Sequence, residues 1–203
     1  MIYSGIDWSG DPGDPDKTGM SPELTIAMAQ IDGGELEVLT AALADIRRGR
    51  RLSEQFAFRY SACSTEVRLA FFTRLAPVSV SVTAVSIDKR NWYAQSRPGR
   101  PSEWLDQAIA ELVCAAAPST ITGQVILVDR PKSETKAVRA TERVIKRALK
   151  GAELQPYPQI KPCPDHKSQG HIIQVADMFA GALRDQGPSC RYFQGFSKRL
   201  VLV

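Results

Sequence analysis

The chain is expected to fold as one α/β domain, a mixed sheet flanked by helices, and three stretches carry that expectation. Val78-Ser-Val-Ser-Val-Thr-Ala-Val-Ser-Ile-Asp88 alternates apolar and small polar residues with the period of two that a strand requires. Gly123-Gln-Val-Ile-Leu-Val-Asp129 is a nearly continuous apolar run, the pattern of a central strand covered on both faces. Residues 134–150 and 168–186 repeat apolar side chains at the three- and four-residue spacing of amphipathic helices. A length of 203 residues suits a single domain over 1–203 with a real core, and 43% hydrophobic with 24% charged residues is an ordinary globular composition.

Met1-Ile-Tyr-Ser-Gly-Ile-Asp-Trp-Ser-Gly-Asp11 opens the chain as a strand that ends in carboxylates. Alternation puts Tyr3, Gly5, Asp7 and Ser9 on one face and Ile2, Ser4, Ile6 and Trp8 on the other. Gly10 and the acidic, Pro- and Gly-rich run to Asp16 break the strand, so Asp7 stands beside a loop. A lone aspartate there can equally serve a turn amide. Glu23 to Asp32 reads as a second strand, hairpin-like with the first. Residues 35–48 read as a helix with Leu36, Leu39, Leu43 and Ile46 inward, closed by Arg47-Arg48-Gly49-Arg50-Arg51, which is either a solvated terminus or a phosphate contact.

Phe56 to Ser61 is expected to be a short strand and Thr65 to Leu75 a helix ended by Pro77. After the alternating strand, Lys89 to Pro101 is expected to be a loop whose Arg90, Trp92, Tyr93, Arg97 and Arg100 either pin it to the surface or stack on bases. A helix runs from 101 or 102 to about 117. The helix over 134–150 ends at Gly151 and turns Val138, Thr141, Ile145, Ala148 and Leu149 to one side. Lys136, Arg139, Arg143, Lys146, Arg147 and Lys150 share the adjoining arc, as a solvated face or as a nucleic-acid contact. Residues 153–161 read as an edge strand because Pro156, Pro158 and Pro162 cannot donate to a ladder. In the last helix Ile172, Val175, Ala176, Phe179 and Leu183 form the buried stripe. Gly170, Gln174, Asp177 and Gly181 form a second row stripped of bulk, able to approach a sheet or a ligand closely.

A formal charge of +4 permits a polyanionic partner without demanding one. The four cysteines are widely spaced, forming neither a zinc nor a redox motif, and read as reduced thiols of a cytoplasmic protein. No signal-like start and no apolar run of about 20 residues is present in the sequence, so neither export nor membrane insertion is expected.

Asp7, Asp129 and Asp177 thus combine two strand ends with one helix, and such carboxylates suit Mg²⁺ or Mn²⁺, which take hard oxygen ligands. The order of elements, with a helix inserted between the second and third strands, looks like a ribonuclease H-like fold. Gly5-Ile-Asp-Trp-Ser-Gly-Asp11 resembles the opening Asp-Glu-Ser-Gly-Asp motif of the widespread bacterial domain-of-unknown-function family 3800. His171-Ile-Ile-Gln-Val-Ala-Asp-Met-Phe-Ala-Gly-Ala-Leu183 resembles that family's closing Leu-Gln-Leu-Ala-Asp-Leu-Ile-Ala-Gly-Ala helix. The resemblance implies a ribonuclease H-like domain whose acids bind metal. It places Asp7, Ser9 and Asp11 in the opening motif, Gln174 and Asp177 in the closing one, and Asp129 on the central strand. The family's Glu is Trp8 here, on the face opposite Asp7, which removes a candidate ligand for a second metal.

The expected function is a metal-dependent phosphodiesterase acting on DNA or RNA. Asp7, Asp129 and Asp177 are the catalytic and metal-binding acids, Ser9, Asp11 and Gln174 support them, and the cationic helix contacts the backbone. No dedicated general base stands out; His166 and His171 are the candidates. The alternative is a nucleic-acid- or partner-binding domain that keeps this fold without turnover.

Overall fold

The first ten residues fold as expected from their alternation: in the computed structural model, β1 (Ile2–Ser9) pairs antiparallel with β2 (Glu23–Asp32), with Asp7 opposite Ala27. The structure describes residues 1–12, 16, 18–96, 101–116, 120–128, 135–151, 153–163 and 170–202. β3 (Val80–Asp88) pairs antiparallel with β2 on its other side, β4 (Val125–Val128) pairs parallel with β1, and β5 (Gln159–Pro162) pairs parallel with β4. β5 is an edge strand as expected, but it begins only at Gln159, after Pro156 and Pro158, and ends on Pro162. A sixth strand that sequence reading left unassigned, β6 (Ser197–Leu202), closes the other edge parallel to β3, giving the order β5-β4-β1-β2-β3-β6.

Two hydrophobic layers cover this sheet, and the side-chain period of two decides which residue enters which. Ala27, Ala29 and Ile31 of β2, with Val80, Val82 and Ala84 of β3, face α1 (Leu36–Gly49), α2 (Thr65–Leu75) and the last helix, α6 (His171–Gln186). Leu24, Ile26 and Met28, with Val85 and Ile87, face the opposite layer, built from Trp92 of α3 (Lys89–Ser96), α4 (Pro101–Ala115) and α5 (Thr135–Gly151). On the α6 side, Phe71, Phe72, Phe179, Phe193 and Phe196 form a continuous aromatic cluster; Phe179 stacks on Phe193 at 5.2 Å and meets Phe196 edge-on at 5.0 Å. Such arrangements add to the burial energy of the rings.

Two expectations are corrected. Residues 89–96 form helix α3 rather than a loop, started by Asp88, whose carboxylate accepts from the N–H groups of Arg90 and Asn91. Trp92 is buried on the sheet and so packs rather than stacks on bases; the Tyr93 side chain, Arg97 and Arg100 lie outside what the structure describes. Residues 56–61 are not a sheet strand: an extended stretch leads into a 3-10 turn at Tyr60–Ala62. Its partners are side chains of α6, for reasons that concern the site.

Candidate functional site

Five strands, β1, β3, β4, β5 and β6, run the same way, and β2 alone opposes them. Toward their C-terminal ends lie Asp7 and Ser9 of β1, with Asp11 just beyond it, and Asp88, the last residue of β3; Glu23, the first residue of β2, is the register partner of Asp88. After β3 the chain crosses the sheet to place β4 on the far side of β1, and open α/β sheets bind ligands at such a reversal. β4 is described to Val128, opposite Ile6. Asp129 lies outside the described residues, as does His166.

How closely α6 approaches β1 is set by Gly5. A Cβ at that position would stand 2.6–2.7 Å from backbone atoms of Ile172 and Ile173, so the helix backbone rests on the strand itself. At the other end Arg184 reaches the turn at Gly10, its guanidinium 3.4 Å from where a Cβ would be. Between these two contacts a strand advances about 16.5 Å over five residues, and a helix about 16.5 Å over eleven. α6 therefore tracks β1 along its length in the same direction. Asp7 is two strand residues past Gly5, about 6.6 Å, and Asp177 four helical residues past Ile173, about 6 Å. At 100° per residue, Asp177 also falls within about 40° of Ile173 and nearer still to Arg184. By these advances the two aspartates lie at about the same height, Asp7 on the strand face that meets α6 and Asp177 on the helical row that seats residues 58–60.

Both are half-buried, and each has a hydrogen-bonding duty. Asp7 Oδ1 accepts from the N–H of Trp8 at 2.8 Å. Asp177 Oδ1 accepts from the N–H of Tyr60 at 2.8 Å, and Gln174 Oε1, on a side chain only 1% exposed, accepts from the N–H of Phe58 at 3.0 Å. A third member of the same row, Gly181, lies under Tyr60, whose Cβ and ring would stand 2.3–2.7 Å from any added Cβ. The row stripped of bulk therefore seats the 58–60 backbone: alternate N–H groups that would have entered a sheet ladder go instead to side chains one helical turn apart. The segment is fastened further by Tyr60, whose hydroxyl donates to Asp185 at 2.7 Å beneath the Arg68 guanidinium, 3.8 Å from its ring. Burial first, then the Asp185 carboxylate, pushes the Tyr60 phenol up to about 12. Burial likewise pushes the Cys63 thiol up to about 11, with Asp177 among the lesser contributors.

The other expected residues divide. Trp8 faces the α4–α5 layer, opposite Asp7, as alternation required. Ser9 is half-buried and Asp11 exposed at the strand end. His171 is buried at the start of α6 with Nδ1 3.2 Å from Thr40 Oγ1, packed against α1. On α5, Val138, Thr141, Ile145 and Leu149 are buried while Arg139, Arg143, Lys146, Arg147 and Lys150 are exposed, so the arc is a surface; Lys136 lies outside the described side chains. One acid enters that surface: Glu142 pairs with Lys146 at 2.7 Å. The other basic cluster is partly structural, because Arg47 is buried with Nε donating to the Phe56 carbonyl, and Arg48 pairs with Asp45. Sequence reading missed Lys89, wholly buried at this end of the sheet, and Arg184; a lysine directly after a strand-ending Asp and an Arg one turn beyond Gly181 carried no signal of their own. Among the described residues, no three His, Cys, Asp or Glu side chains cluster as a metal site, and no helix is long and apolar enough to cross a membrane.

No protein-family model matches the chain, and no curated protein matches it significantly. Eleven chains of solved structures match, among them the ribonuclease H2 from Pyrococcus horikoshii OT3, 16% identical, with a TM-score of 0.56 over 97% of this chain and 81% of that one. The fold is therefore ribonuclease H-like: a six-stranded mixed sheet flanked by helices.

Proposed function

We propose that the protein is a divalent-metal-dependent phosphodiesterase acting on DNA or RNA, with Asp7, Asp129 and Asp177 as its acids. The observation that carries this reading is the close seating of α6 on β1 at Gly5, which supports a shared height for Asp7 and Asp177 along the two elements. The fold likeness and the resemblance of both motifs to family 3800 support it. The donor set fits Mg²⁺ or Mn²⁺: all three side chains are carboxylates, and Asp7 and Asp177 are half-buried. Asp7, Asp129 and Asp177 would hold the ion, which when bound supplies Lewis-acid polarisation of a phosphate and a more acidic water. Ser9 and Asp11 would shape the mouth of the site. Gln174 would act at one remove, by holding the 58–60 backbone against the helix that carries Asp177. The exposed α5 cations would take the phosphate backbone.

A second reading rests on the duty of Asp177. Its bond to Tyr60 and the matching bond from Gln174 to Phe58 give the closing motif a structural use that needs no metal, as in a nucleic-acid- or partner-binding domain without turnover. The deciding experiment is cleavage of single- and double-stranded DNA and RNA with Mn²⁺, Mg²⁺ or EDTA, using wild type, Asp7→Asn and Asp129→Asn. Metal-dependent cleavage lost in both variants supports the phosphodiesterase. Salt-sensitive binding without cleavage supports the binding domain.

A further inference from the structure

Lys89 opens α3 directly after β3, and its side chain is 0% exposed. A lysine withdrawn from water costs several kcal/mol unless polar groups replace its hydration, so a core position with no task for the cation would favour an apolar residue. Lys89 Nζ donates to the main-chain carbonyl of Asp11 at 2.9 Å, and its backbone N–H donates to the carbonyl of Pro22 at 3.0 Å. Those acceptors flank the connection between β1 and β2, so one residue ties both of its ends to the end of β3. Asp11 is constrained from its other side by Gly10, whose φ of +99° is left-handed and whose Cβ, if present, would stand 2.4 Å from the Glu23 carbonyl.

We infer that Lys89 is a positioning residue for the opening motif: its buried ammonium holds the main chain of Asp11 at the strand ends, and through it the direction in which the Asp11 carboxylate faces the site. The anchoring stands on geometry alone; its consequence for turnover rests on the phosphodiesterase reading. A lysine suits the task because its long stem fills the core while three donors sit at the tip, whereas an apolar side chain of the same length fills the space and leaves the carbonyl without that donor.

The test is Lys89→Met, which keeps the stem and removes the ammonium. Hydrogen exchange of the chain immediately after Ser9 should accelerate at least tenfold while exchange in β1 to β3 and the melting temperature hold or improve. A uniform acceleration with a lower melting temperature, or no change after Ser9, overturns the inference by making Lys89 ordinary core. If wild type cleaves nucleic acid, Lys89→Met should lower kcat by the same factor as Asp11→Asn at an unchanged KM for substrate, and the double variant should be no worse than either. Losses that multiply in the double variant would show that Lys89 does not act through Asp11. A wild type that never cleaves defeats the phosphodiesterase reading, while the exchange result still judges Lys89.

Discussion

Replacing Gly5 by alanine tests the contact on which the site depends. The new methyl would meet Ile173 N at 2.6 Å and the Ile172 carbonyl carbon and oxygen at 2.7 Å each. Ordinary non-bonded separations are about 3.5–4.0 Å, so α6 and β1 must part by roughly 1 Å, and backbone atoms cannot turn aside as a side-chain tip would. Overpacking of this kind costs about 1–3 kcal/mol, and three simultaneous backbone contacts put Gly5→Ala near the top of that range. Alanine recovers about 0.5–1 kcal/mol by restricting the unfolded chain, which leaves a net loss of about 2 kcal/mol. For a domain of this size that lowers the melting temperature by about 4–8 °C. Gly49→Ala, at the end of α1 with nothing within 4 Å of the added methyl, is the matched control and should hold or gain stability, by about 0.5–1 kcal/mol at most. Thermal unfolding followed by circular dichroism reads both. On the proposed phosphodiesterase reading, the same displacement shifts Asp177 relative to Asp7, and a 1 Å misplacement costs about a hundredfold in rate. A Gly5→Ala protein that melts within a degree of wild type would refute the close approach, and with it the argument that sets the two aspartates level.

Other outcomes follow from the same contacts. Asp177→Ala should cost about 1–3 kcal/mol in urea unfolding by leaving the Tyr60 N–H without this acceptor, whereas Asp177→Asn keeps an acceptor and should stay within about 1 kcal/mol of wild type while losing any metal-induced rise in melting temperature. Equal losses in the two would mean that the bond to Tyr60 contributes nothing. Stability should fall with alkali, because Cys63 and Tyr60 hold their protons more tightly folded than unfolded: the contribution is complete below pH 9.0, declines for Cys63 up to about 11 and for Tyr60 between 10.0 and about 12. The stability advantage of wild type over Tyr60→Phe should shrink across that last interval, and a constant difference to pH 12 would show that the phenol is not perturbed. Reversing Arg139, Arg143 and Arg147 to Glu should flatten the salt dependence of duplex DNA binding by about 2.7 in the log–log slope, at about 0.9 per lost phosphate contact; an unchanged slope makes α5 a solvated face.

The sequence by itself determined the elements whose partners are implied by their own periodicity. In Val80–Asp88 the alternation through Ala84 marks the face toward α6, and the adjacent Ala84 and Val85 hand the apolar set to the face toward α4, while the α5 stripe separates buried from exposed residues as 3.6 residues per turn demands. Asp7 and Trp8 fall on opposite faces for the same reason, and the row Gly170, Gln174, Asp177 and Gly181 was legible as a place of close approach. What the row approaches was decided only by tertiary structure. Residues 56–61 have a strand's pattern, yet the N–H groups of Phe58 and Tyr60 find their acceptors on Gln174 and Asp177, more than a hundred residues away. A backbone donor must be satisfied, but local sequence does not say by whom. β6 is a strand because β3 offers it an edge, and Lys89 is held at both ends of the acidic connection, its ammonium on the Asp11 carbonyl and its backbone N–H on the Pro22 carbonyl. In each case the stabilising group belongs to a distant part of the chain, so the energy that settles the local conformation is absent from any window of sequence around it.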